Sequence, residues 1–75
     1  MINDPTPIAR FHDEALAHMA AGKLDANDIE SLIETRMPGR GLGRRQALLS
    51  VQSTDKDRAV AVLLDSPAKS FVIQD

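Results

Sequence analysis

Cysteine, tryptophan and tyrosine are all absent from this chain, and its whole aromatic content is Phe11 and Phe71. Without cysteine there is no disulfide to staple a small fold and no thiolate to hold a metal or attack a substrate. With two aromatic rings in 75 residues, the core has to be aliphatic, and the aromatic platforms that a nucleic-acid surface normally adds are scarce. No apolar run approaches the roughly 18 residues that a membrane helix needs. The start, Met1-Ile2-Asn3-Asp4-Pro5, has neither a basic nor an apolar signal region, so the reading is cytosolic, with no membrane and no cofactor.

A further absence is local. Between Thr35 and Thr54 there is no acidic residue, yet four of the nine basic residues lie there: Arg36, Arg40, Arg44 and Arg45. The net charge of −2 therefore conceals a partition. Residues 1–34 carry seven acids against Arg10 and Lys23, residues 35–54 carry the four arginines alone, and residues 55–75 carry four acids against three bases. An acidic part precedes a basic one, and the imbalance is met within the fold, by a second copy or by an outside anion.

What remains is enough for one domain. A chain of this length buries only about 60% of the surface it exposes unfolded, so self-association or a partner's surface is the natural supplement. The periodicity predicts an α+β domain in which an N-terminal antiparallel helix hairpin packs on a small three-stranded antiparallel β-meander. Residues 1–5 form a leader, 6–37 the helical hairpin, 38–45 a basic glycine-rich loop and 46–75 the meander.

The first helix is expected to start at Thr6-Pro7, with Ile8, Phe11, His12, Ala15, Leu16 and Met19 on one face and Gly22 as its stop. Asp25 is read as the N-cap of the second, with Leu24 and Ile29 as a hydrophobic staple and Pro38-Gly39 as its end. The strands are expected in Ala47–Gln52, Arg58–Leu64 and Lys69–Gln74, between turns at Ser53–Asp57 and Asp65–Ala68. The alternative is all-α, four short helices with an extended C-terminal tail. It draws on Thr54-x-x-Asp57 as a cap, on Ala59, Val60, Leu63 and Leu64 as a helical face, and on Pro67 as the stop.

For function, Arg36, Arg40, Arg44 and Arg45 flank three glycines, an arrangement that brings backbone N–H groups and guanidinium forks to an anion. Gly39-x-Gly41-x-Gly43 has neither dinucleotide-binding nor P-loop spacing. The plain reading pairs these arginines with Glu30, Glu34 or other acids of the same domain. His12, on the apolar face, is expected packed with one hydrogen bond, and Glu14 with His18 makes at most a two-ligand metal site. No nucleophile, base and orienting group recur at catalytic spacing, so an enzyme is not expected.

Phe71-Val72-Ile73 is read as an edge strand, its Phe71 and Ile73 serving as apolar anchors. The leading expectation is a non-enzymatic adaptor or regulator that binds a protein with an acidic surface through the basic loop and these two residues. The alternatives are a nucleic-acid-binding regulator using the same arginines and a self-assembling homo-oligomer.

Overall fold

The computed structural model describes residues 2–36 and 46–73. Its strands are β1 (Pro5–Phe11), β2 (Ser31–Arg36) and β3 (Gln46–Gln52), and its helices α1 (Glu14–Asp25) and α2 (Lys56–Leu64), with 3-10 turns at Ser53–Asp55 and Pro67–Phe71. The expected α+β class and three-stranded antiparallel sheet are present; the helical hairpin and the meander order are not. The sheet order is β1-β3-β2, both outer strands antiparallel to β3.

β1 and β2 therefore run parallel, joined through α1. That is the split βαβ order. Val72 makes a single antiparallel bridge to Ala9, and the Ile73 N–H donates to the Ile8 carbonyl at 2.9 Å. Since the other side of Ala9 faces Leu49, this bridge lies on the outer edge of β1 and stands where a fourth strand would lie.

Residues 6–11 belong to β1, a strand where the opening of a helix is expected. Pro5 and Pro7 bias Asp4 and Thr6 towards extended backbone, which suits a strand as well as a helix cap. As an edge strand, β1 can also tolerate residues with no N–H to give. The pairing slips between Pro7 and Ala9, a bulge that turns Ile8 and Ala9 inward together, 1% and 0% exposed.

The helix begins seven residues later than expected. Asp13 is its cap, in extended backbone, with Oδ1 accepting the Ala15 N–H at 2.9 Å, while Glu14 in the first turn and Lys23 in the last complement the helix dipole. Gly22 does not end α1. Its end lies past Asp25, where Asp28 takes a left-handed φ of 61°, its N–H bonds the Asp25 carbonyl at 3.0 Å and the Ile29 N–H bonds the Leu24 carbonyl at 2.9 Å. These two bonds are a Schellman closure, and Leu24 and Ile29, both buried, are the apolar pair that accompanies one. The signal expected to open a second helix thus closes the first.

With no second helix there, residues 31–36 pair with β3, from Ser31 opposite Val51 to Arg36 opposite Gln46. Ala47, Leu49 and Val51 are buried, as their alternation predicts, on the face that α1 and α2 cover. In the next segment the helical reading holds: Ala59 and Leu63, one turn apart, are buried on α2. Residues 69–73 form no strand beyond the bridge of Val72. Ser66 caps the last 3-10 turn, its Oγ accepting the Ala68 N–H at 3.1 Å and donating to the Leu63 carbonyl at 2.7 Å, with Pro67 following.

By the pairing register, Arg10, Leu48 and Glu34 make one row on the other face of the sheet and Pro7, Ser50 and Leu32 the next. Among the described residues no helix covers that face.

Candidate functional site

Of the six side chains singled out by sequence, Arg40, Arg44 and Arg45 lie outside the described residues. Arg36 ends β2 directly opposite Gln46, the first residue of β3. Phe71 closes the last 3-10 turn, half-buried, and Ile73 lies beside β1, 37% exposed. The two do not share a strand edge.

Phe71 instead forms one wall of an apolar cleft between α1 and the Pro67–Phe71 turn. The cleft has a volume of about 210 Å³, and Leu16, Met19 and Ala20 of α1 face Pro67, Ala68 and Phe71 across it with Phe11 among its walls. Met19 stands at its mouth, 72% exposed, and among the described residues Lys23 is the only charged side chain on its walls. The rings of Phe11 and Phe71 lie 5.0 Å apart, tilted by 34°, within the range of favourable aromatic pairs. Both aromatics of the chain therefore sit in one feature.

The geometry follows from local sequence. Leu16, Met19 and Lys23 recur along one flank of α1, while Ala17, Ala20 and Leu24 are buried on the flank against the sheet. Small alanines let α1 lie close to the strands. Pro67 and the Ser66 cap stop the chain from continuing α2 and turn it back across that flank. Among the described residues Ser66 brings the one hydroxyl to the cleft wall, and its oxygen already bonds two backbone groups.

His12 is exposed rather than packed, with its ring 5.5 Å from that of Phe71. The turn before α1 directs it outward, whereas a helix over residues 6–22 would have placed it on the apolar face. His18 Nε2 lies 3.6 Å from Glu14 Oε1, and Glu14 Oε2 accepts the Thr35 hydroxyl at 3.0 Å. Among the described residues no group of three His, Cys, Asp or Glu side chains is placed to hold a metal, and no helix is long and apolar enough to cross a membrane.

The cleft escapes sequence reasoning because its two walls are more than forty residues apart in the chain. Phe71 is expected as an anchor on an edge strand, and it stands instead in a 3-10 turn. No protein-family model, no curated protein and no solved structure matches the chain.

Proposed function

We propose that this chain is a small, non-enzymatic adaptor or regulatory protein that binds an acidic segment of a protein partner. An apolar side chain of that segment enters the cleft between α1 and Phe71, and the arginines of residues 36–45 supply the complementary charge. The cleft is the observation that supports this reading most. Its volume of about 210 Å³ falls below the roughly 300–1,000 Å³ of small-molecule sites, which suits an anchoring side chain better than a cofactor. Its apolar walls supply dispersion and desolvation, and Lys23 at the rim suits a carboxylate beside the anchor. The basic segment adds association rate and partner choice more than affinity.

The test compares capture of proteins from a lysate of the source cells by the tagged wild-type chain and by two variants, after nuclease treatment. A protein retained by wild type and lost with Met19→Asp supports the cleft; a protein bound equally by both refutes it. Reversing the charge of Arg44 and Arg45 is expected to slow association at low salt, and binding that ignores this change removes the arginines from the interface. Capture that disappears with nuclease transfers the arginines to a nucleic-acid role, whose affinity has to fall steeply with salt.

A further inference from the structure

The outer edge of β2 is a separate surface. β3 pairs with one side of β2, and among the described residues nothing pairs with the other. A bare edge presents a row of backbone donors and acceptors to any strand that can match them. Here it also carries two apolar side chains with incomplete cover, Leu32 at 41% exposure and Ile33 half-buried. They occupy adjacent positions and so point to opposite faces.

We infer that two copies of this chain associate through β2, antiparallel about a two-fold axis at Ile33, into one six-stranded sheet. A two-fold axis that continues a sheet preserves its faces, so residues meeting across it have matching parity. Three such registers lie near the middle of β2. Centred on Glu34, the pairing sets that carboxylate against itself; centred on Leu32, it sets Glu30 against Glu34 twice, and like charges directly opposite are destabilising. Centred on Ile33, it pairs Ile33 with Ile33, Ser31 with Thr35 and Leu32 with Glu34, and brings Glu30 opposite Arg36 at both ends. That register alone opposes no like charges.

The helical layer agrees. α1 packs over β2 and β3, and strands are spaced about 4.8 Å apart, so continuing the sheet across the axis separates the two α1 helices by about 10 Å. That is the spacing of packed helices. The flank of α1 that meets its copy is marked by the Glu14–Thr35 hydrogen bond at 3.0 Å and continues through His18 and Ala21, whose small side chain permits close approach. Leu16, Met19 and Lys23 lie on the opposite flank, so the dimer leaves both clefts open. The inference is independent of the function proposed for them.

The absence of cysteine makes a direct test available. The full chain is examined by sedimentation equilibrium up to its solubility limit, and the single variants Ile33→Cys and Leu32→Cys are oxidised under identical mild conditions. Residues facing each other across antiparallel strands have Cα atoms about 4.5–5.5 Å apart, within disulfide range, whereas a Leu32 pair in this register lies beyond about 7 Å. The expected results are a mass of twice 8.2 kDa and Ile33→Cys dimers forming at least about tenfold faster than Leu32→Cys dimers. A monomer at every concentration overturns the inference. So does a dimer in which Leu32→Cys cross-links as fast as, or faster than, Ile33→Cys.

Discussion

Replacing Ser50 by alanine is expected to raise the stability of this protein. Ser50 sits mid-way along the central strand, 1% exposed, with Pro7 and Leu32 as its cross-strand neighbours, and among the described residues its Oγ has no hydrogen-bond partner. In the unfolded chain that hydroxyl is solvated; burying it unpaired costs roughly 1–3 kcal/mol. Removing the oxygen sacrifices its few dispersion contacts, about 0.1–0.2 kcal/mol for each atom pair, and changes strand propensity little, since both residues are weak strand formers. The net expectation is a gain of about 1 kcal/mol. For 75 residues the unfolding entropy is about 0.16 kcal/mol/K, so the midpoint should rise by about 6 °C. Thermal melts followed by circular dichroism, at one fixed protein concentration, read this directly. The exposed Ser53→Ala is the control and should change stability by no more than about 0.5 kcal/mol. A Ser50→Ala midpoint several degrees below wild type refutes the reasoning, because it shows that the hydroxyl is bonded in the folded protein.

Two further expectations concern the ends of α1. Asp13→Ala removes the side chain that accepts the Ala15 N–H and should cost about 1 kcal/mol, read as a lower urea midpoint at unchanged slope. Asp28→Gly places at φ 61° the residue that adopts this conformation without strain. The gain should be about 0.5–1 kcal/mol, and a loss of stability in the same urea series would show that the carboxylate contributes more than the backbone strain takes away.

How far the sequence discloses this fold depends on whether a segment's signal is local. In β3, the set Ala47, Leu49 and Val51 alternates with Leu48, Ser50 and Gln52, and period two reads directly as a strand with one face on the core. In α2, Ala59 and Leu63 recur at one turn, but Val60 and Val62 also alternate, so the two periods compete and only packing on the sheet decides. Residues 31–36 mislead because adjacent Leu32 and Ile33 fit either period; β3 supplies a partner, and tertiary pairing overrides the helical reading. Leu24 and Ile29 mislead differently, since an apolar pair five apart serves both the start and the finish of a helix. The left-handed backbone of Asp28 separates the two cases, and an aspartate announces it less clearly than a glycine would. Of the site, only Phe71 could be singled out in advance, because its cleft exists only once the segment after α2 has crossed α1.

The position of β3 in the middle of the sheet has a consequence for the order in which the molecule forms. β3 is the last of the three strands in sequence, and β1 and β2 each pair with it rather than with one another. Arg36 and Gln46 face each other with nine residues between them in sequence, so β2 and β3 can pair at little entropic cost, whereas Pro5 has to find Gln52 across nearly the whole domain. A chain emerging from the ribosome holds β1 without a partner until Gln52 is free. During that interval the two proline positions of β1 keep an exposed apolar segment from becoming a continuous template for pairing between nascent chains.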